Sequence, residues 1–395
     1  MKVYFAPCGI GLGHAGRCIP IAKRLAGEKV EVAFSTYREG TGYVEREGFP
    51  LLEAPPIGFQ VKPDGTVDFR QTAINPGPFI ASFTLLKQVG FELNAIGSIR
   101  PDIVVSDSRV SPLMAARLLG VPRICILNQF QMRVPRKKRF LRLSRLAESI
   151  MLTFIGLTWT MGNSVLIPDF PPPYTICEGN LVIPKAYRKS VKLIGPILPE
   201  HPNSLPTKEK LREKLNLPMD KPVIFVPISG PTTEKAFVSR VLRKILLGFP
   251  LDYEIVVSYG YPNADTKPIR HGNVTIYKWL PNRFEYLKAC DVAIGRAGHG
   301  TITQCICYGK PMIIIPTPGH TEQLTNARQA ENLGVARIVL QEMLDKEKLL
   351  RSVQQMLRPE TIRYIEEIQK EALKYDGLEN AVKEIVAAAK NEQLF

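Results

Sequence analysis

The stretch Gly9-Ile10-Gly11-Leu12-Gly13-His14 decides how the chain is read, because it joins an apolar run, Val3 to Ala6, to a helical pattern from His14 to Ala26. A glycine turn there leaves the backbone bare, so a ligand can approach the amides at the helix start. Working outward, Val30 to Phe34, Ile103 to Val105 and Ile124 to Leu127 are further apolar runs, with a helical pattern at Ser111 to Leu119. Their hydrophobicity is continuous rather than alternating, which predicts strands buried on both faces. That is a parallel α/β sheet. The glycines do not form a dinucleotide fingerprint. GxGxGH lacks the required spacing, and Ser35-Thr36 end the second strand where an acidic residue would stand. Ligand approach and plain helix-strand packing both remain open for them.

At 395 residues the chain exceeds one ordinary domain. Gly195 to Pro206 holds four prolines in twelve residues, which marks a linker. The pattern then restarts with Val223 to Val226, a helix near Glu234 to Leu247, Glu254 to Val257, Val274 to Tyr277, Val292 to Ile294 and Met312 to Ile315. Two α/β units in series are expected, over residues 1–198 and 199–360. Residues 361–395 read as helix except at Gly377, packing back across a domain.

With 45% apolar and 23% charged residues, the composition excludes disordered and membrane-embedded classes. The net charge of +15 points to a phosphate-bearing partner, and residues 1–195 carry most of it, with 25 basic and 14 acidic side chains. Seven cysteines without zinc or CxxC spacing read as reduced core residues in a cytosolic protein. The start, MKVYFAP, has no signal-peptide pattern, and Ser149 to Met161 is too short and polar to span a bilayer.

His14 and Asp107 both fall at carboxyl ends of expected strands, the usual place for chemistry on an open sheet. A carboxylate bonded to one imidazole nitrogen fixes the tautomer and leaves the other nitrogen to take a proton from a hydroxyl. The bland alternatives are a capping role for His14 and, for Asp107, an N-cap of the helix near Ser111. Asp102 precedes its strand and lies at the wrong end.

Ten basic residues fall between Arg109 and Arg145, and no acidic residue occurs between Asp107 and Glu148. The densest part, Arg136, Lys137, Lys138, Arg139, Phe140 and Arg142, leads into an apolar run through Trp159. That order suits an anionic lipid surface, at roughly 1 kcal/mol per Lys or Arg. A solvated basic helix is the plain alternative. Nucleic acid is not expected as a partner, since no stacking aromatics interleave the charges.

In the second half, Trp279-Leu280-Pro281-Asn282 precedes a short helix, and Asp291 to Thr301 reads as strand, glycine turn and helix. Amides at that helix start, with the Thr301 hydroxyl and Arg296, make a diphosphate site. Ser229-Gly230 gives a second such turn, and Glu322-Gln323 follow a third strand where polar side chains could grip hydroxyls.

Trp279 to Gly334 resembles the donor-binding segment of inverting GT-B glycosyltransferases, which are built from two Rossmann-like domains with parallel sheets facing across a cleft. The residues carrying the resemblance are Trp279, Pro281, Arg296, Gly298, Thr301, Gly309, Pro311, Pro316, Glu322, Gln323, Asn326 and Ala327. The resemblance implies that Trp279 stacks on uracil beside Leu280, and that Gly13, Ser229, Gly230, Gly298, His299, Gly300 and Thr301 belong to the nucleotide-sugar site with Arg296. Glu322 and Gln323 would contact the donor sugar. Arg296 in place of His is similar to the bacterial muropeptide-lipid N-acetylglucosaminyltransferase branch. Gln304 stands where that family usually has a ribose-binding Glu, and Asn282 where Gln is common. GxGxGH resembles the same branch, while the His14 and Asp107 pair resembles the small-molecule UDP-glycosyltransferases.

By that resemblance the chain moves a sugar, N-acetylglucosamine or a hexose, from a UDP-sugar to a lipid or lipid-linked acceptor, inverting the anomeric centre without a metal or cofactor. It would work as a cytoplasmic protein, peripheral on the inner face of the cell membrane. His14 would be the base, or would only position an acceptor phosphate. Rival readings are a soluble small-molecule acceptor, a UDP-sugar 2-epimerase on the same scaffold, and an RNA-binding protein.

Overall fold

The computed structural model describes residues 1–57, 62, 77–128, 157, 159, 160, 164–181, 183 and 185–391. The chain forms two compact units, and it passes from the first to the second between Pro199 and Glu200.

In the first unit the elements run β1 (Lys2–Pro7), α1 (Gly13–Gly27), β2 (Glu31–Thr36), α2 (Glu39–Arg46), β3 (Leu51–Glu53), α3 (Gly77–Ile99), β4 (Ile103–Asp107), α4 (Val110–Leu118), β5 (Arg123–Ile126), β6 (Ser164–Ile167) and β7 (Val191–Leu193). The sheet order is β3-β2-β1-β4-β5-β6-β7, and every pairing is parallel. The strand reversal on either side of β1 puts a switch point at its carboxyl end. Register places Pro7 opposite Asp107, so the glycine turn after β1 and the end of β4 lie side by side.

Both faces of this sheet are covered, as continuous apolar strands require. On one face Phe5, Phe34, Val105 and Ile126 pack on Cys18, Ile21, Ala22 and Leu25 of α1. On the other, Tyr4, Ala6 and Val104 meet Ala95 and Ile96 of α3 and Ala115 and Ala116 of α4. Each fully buried Leu, Ile or Phe contributes about 1.5 to 3 kcal/mol, so the sheet edge carrying His14 and Asp107 rests on a rigid base.

The second unit contains α5 (Lys208–Lys214), β8 (Val223–Pro227), α6 (Thr232–Leu246), β9 (Glu254–Ser258), β10 (Ile269–His271), β11 (Val274–Tyr277), α7 (Arg283–Ala289), β12 (Val292–Gly295), α8 (His299–Cys307), β13 (Met312–Ile314), α9 (Thr321–Asn332), β14 (Ala336–Ile338), α10 (Lys346–Met356) and α11 (Pro359–Ala372). Its sheet order is β10-β11-β9-β8-β12-β13-β14, parallel except for the edge pair β10 and β11. The switch point falls at β8.

The last helix, α12 (Gly377–Asn391), returns to the first unit, as the sequence leads one to expect. Its Ala381, Val382, Ile385 and Ala389 join the core beneath α1. Ion pairs from Arg24 to Glu379 and from Lys192 to Glu384 flank it.

Candidate active site

α1 begins at Gly13 with Leu12 as its N-cap and no side-chain capping bond, so His14 is not the cap. Likewise Arg109, not Asp107, occupies the N-cap of α4. Freed from those roles, the two side chains meet: His14 Nδ1 lies 2.7 Å from Asp107 Oδ1. An ionised carboxylate can only accept, so the bonded nitrogen carries the proton and Nε2 keeps its lone pair. Asp107 is fully buried, whereas the His14 side chain is 23% exposed. The imidazole is therefore held from inside and open to an incoming hydroxyl.

A third residue completes the arrangement. Arg17 sits three positions after His14, hence on the same helix face, and grips both oxygens of Asp107. Its Nη2 donates to Oδ1 at 2.6 Å, its Nε donates to Oδ2, and Nη2 also reaches Asn128 Oδ1 at 3.4 Å. Burial by itself would push the Asp107 carboxyl up. The Arg17 guanidinium and then His14 outweigh it and hold the group down at about 2. Sequence reasoning missed Arg17, although its spacing from His14 was a usable signal.

The glycine turn divides between the two readings left open by the sequence. Gly9 is there for packing: a Cβ on it would fall 1.8 Å from the Tyr37 carbonyl oxygen. The Gly11 N–H donates to Glu39 Oε2 at 3.3 Å. Gly13 is exposed, with nothing within 4 Å of where its Cβ would stand. The open space beside His14 thus begins at Gly13.

In the second unit, three turns follow β8, β12 and β13 on the carboxyl edge of the sheet. The first two bring together Ser229, Gly298 and Thr301. A Cβ at Gly298 would lie 3.7 Å from Thr301 Oγ1 and 3.9 Å from Ser229 Oγ. Gly298 is the N-cap of α8 and supplies no side-chain cap, and α6, which follows Gly230, starts uncapped after Pro231. Two hydroxyls and a bare helix start therefore surround one small space, the arrangement an anionic oxygen needs. Within α8, His299 is buried, Gly300 exposed and Gln304 half-buried on the same face as Gly300.

Other expected residues hold the frame. Trp279 and Leu280, just past β11, are buried. Gln323 accepts from the Thr317 N–H at 3.0 Å, while Glu322 stands half-buried in the first turn of α9. Arg296 is 3% exposed, and it donates to the Ile315 carbonyl at 3.0 Å and to Gln341 Oε1 at 2.8 Å. Burial draws its pKa down to about 10, against the pull of Glu234. Glu234 itself, unnoticed in the sequence, accepts from the Thr317 hydroxyl at 3.4 Å and so ties α6 to the turn after β13.

Residues 221–388 match the glycosyltransferase family 28 C-terminal domain. An uncharacterized glycosyltransferase of Methanosarcina mazei is 28% identical over 98% of both chains. The chain has the fold of the GT-B glycosyltransferases and carries a glycosyltransferase family 28 C-terminal domain. A further relative of this glycosyltransferase is the UDP-N-acetylglucosamine--N-acetylmuramyl-(pentapeptide) pyrophosphoryl-undecaprenol N-acetylglucosamine transferase of Caldanaerobacter subterraneus, 25% identical over 90% of this chain and 91% of that one. Among solved structures, the calicheamicin glycosyltransferase CalG4 shares the fold at a TM-score of 0.64, with 16% identity over 98% of both chains.

Arg136, Lys137, Lys138, Arg139, Phe140 and Arg142 lie outside the described residues. Among the described residues, no helix of the glycosyltransferase is long and apolar enough to cross a membrane.

Proposed function

We propose that this glycosyltransferase is an inverting enzyme that moves a sugar, N-acetylglucosamine or a hexose, from a UDP-sugar to a hydroxyl of a lipid or lipid-linked acceptor, without a metal. The observation that carries the reading is the His14–Asp107 bond, which leaves the other nitrogen of a partly exposed imidazole with its lone pair. In one displacement, Nε2 takes the acceptor's proton as its oxygen bonds the anomeric carbon. The bond from that carbon to the phosphate oxygen breaks, and UDP departs with the electron pair. Ser229, Thr301 and the start of α8 would bind the leaving diphosphate, each helix terminus contributing about 0.3 to 2 kcal/mol. General-base help of this kind is worth about 10² to 10⁴ in rate.

The lipid acceptor is supported by the pyrophosphoryl-undecaprenol substrate in the name of the Caldanaerobacter relative. The run from Arg136 to Arg142 supports work at an anionic membrane face on the cytoplasmic side. The test is incubation with UDP-N-acetylglucosamine and UDP-glucose, with and without lipid extract, comparing the wild-type protein with His14→Ala. Lipid-bound sugar that disappears in the variant, with UDP affinity kept, is the expected result. An epimerised sugar nucleotide formed without acceptor, or full transfer by the variant, would overturn the reading.

A further inference from the structure

Asp107 is an unusual partner for a base, because its carboxylate is fully buried at the end of β4. Removing a carboxylate from water favours its protonated form strongly. A protonated Asp107 would offer an O–H donor to His14 Nδ1. The imidazole would then carry its own proton on Nε2, the nitrogen that has to be empty. Something must keep the carboxylate ionised and its plane fixed. The titratable groups facing it are His14, Arg17 and Cys18 from α1, Cys125 from β5 and Cys8 just past β1. Burial pushes all three thiols above their ordinary values, and the Asp107 charge adds to this, so they stay neutral and bring no charge to the carboxylate. Arg17 is the remaining candidate.

Its geometry fits that task. The guanidinium takes Oδ2 through Nε and Oδ1 through Nη2, leaving Oδ1 to be shared with His14. Bidentate pairing of this sort fixes orientation as well as charge. The same Nη2 reaches Asn128, just past β5, so the guanidinium is tied to the ends of two neighbouring strands. Placed three residues apart on one turn of α1, His14 and Arg17 approach the carboxylate together and cannot drift separately.

We propose that Arg17 is a positioning residue for the transfer reaction, holding Asp107 as an oriented anion and thereby keeping the His14 proton on Nδ1 and Nε2 open. This rests on the reading of His14 as the base. Its Nη2 also stands 3.2 Å from His14 Nδ1, where with Nδ1 protonated both are donors to the one carboxylate, so the residue acts on the base through Asp107 and touches no reacting atom.

The experiment uses the full chain with 15N-labelled histidine, whose His14 signal is identified by its loss in His14→Asn. At pH 8 the wild-type signal should be that of the Nδ1–H tautomer. Arg17→Gln should mix in the Nε2–H tautomer, and Arg17→Lys, which keeps the charge, should remain near the wild type. In parallel, UDP release from UDP-N-acetylglucosamine is followed against pH with water and with octyl glucoside, a lipid-like acceptor that offers free hydroxyls. Arg17→Gln should lose about a hundredfold in kcat, within the range of general-base effects, with donor KM within about twofold of wild type. Its acidic limb should move to higher pH, since Asp107 then takes up a proton more readily. An Arg17→Gln protein that is folded, with a wild-type tautomer and an unmoved acidic limb, overturns the proposal. Should Arg17→Gln fail to fold, a mixed tautomer in Arg17→Lys at pH 8 would overturn it equally, and a retained Nδ1–H form would support it. Undiminished transfer by His14→Ala would instead sink the base assignment, whatever the spectra of the Arg17 variants show.

Discussion

Gly377 is pressed onto the backbone of Gly195: a Cβ built on Gly377 would fall 2.0 Å from the Gly195 carbonyl oxygen and 2.6 Å from the Pro196 carbonyl carbon. This is where α12 enters the first unit, and Asn380 Nδ2 donates to the Ile194 carbonyl at 2.9 Å one turn later. The obstacles are backbone atoms, which cannot swing aside as a side chain would. Gly377→Ala should therefore cost about 1 to 3 kcal/mol, the usual range for overpacking, and should loosen α12 from α1. Thermal unfolding together with limited proteolysis near residue 377 measures this. An unchanged melting temperature and cleavage pattern would show that the helix entry is not rigid.

Gly298 presents the opposite situation. Its backbone is extended, at φ −67 and ψ 132, so alanine is tolerated there. The added methyl would make ordinary contacts with Thr301 and Ser229. It would also fill the space between two hydroxyls that the diphosphate is proposed to enter. Gly298→Ala should fold with nearly unchanged stability, while the donor KM rises about tenfold or more, equivalent to about 1.4 kcal/mol. Calorimetric titration with UDP separates the two effects. Wild-type UDP affinity in this variant would place the diphosphate elsewhere.

Asp107 links the candidate site to stability. Its carboxyl is held at about 2 in the folded chain, against about 3.9 for an unfolded Asp. A depressed folded value means that the unfolded state binds the proton first. The stabilisation is complete above about pH 4, and it is lost as pH falls toward 2. Its size is about 2 to 3 kcal/mol. Asp107→Asn should remove that part of the acid sensitivity and also leave Arg17 without its counter-ion, a loss of about 3 kcal/mol or more at neutral pH. Urea unfolding at pH 7, 5 and 3 tests both effects. Parallel pH dependences for variant and wild type would show that Asp107 is not the titrating group.

Much of this architecture was legible because the central strands are unbroken apolar runs buried on both faces. Val3 to Ala6, Ile103 to Val105, Val223 to Val226 and Val292 to Ile294 could be placed from continuous hydrophobicity alone. The strands that went unread are Leu51–Glu53, Ser164–Ile167, Val191–Leu193, Ile269–His271 and Ala336–Ile338. All but Ser164–Ile167 have three residues, too few to show a period, and Leu52, Leu193 and Ile269 are exposed. At the site, His14 and Asp107 were legible because glycine turns and strand ends announce themselves. Arg17 was not, because a charged residue inside a helix usually reads as a solvated face, and only the register of Pro7 with Asp107 brings the carboxylate to it. Glu234 was hidden for a similar reason. Its partner Thr317 is 83 positions away.

Arg296 is the residue for which family resemblance and geometry suggest different experiments. The resemblance implies a diphosphate contact, whereas the structure has the guanidinium donating to the Ile315 carbonyl and to Gln341, almost wholly buried. Truncation to Ala would leave that buried carbonyl without its donor, at a cost of about 1 to 3 kcal/mol. Lys carries a charge to the same region but cannot reproduce the fork that reaches both acceptors at once. We therefore expect Arg296→Ala to lower the melting temperature clearly and Arg296→Lys to do so less. Donor KM in both should change less than in Gly298→Ala. Thermal unfolding and UDP titration on the three variants decide the matter. A Arg296→Ala protein of wild-type stability that has lost UDP binding would show that the guanidinium leaves Ile315 and Gln341 to hold the nucleotide.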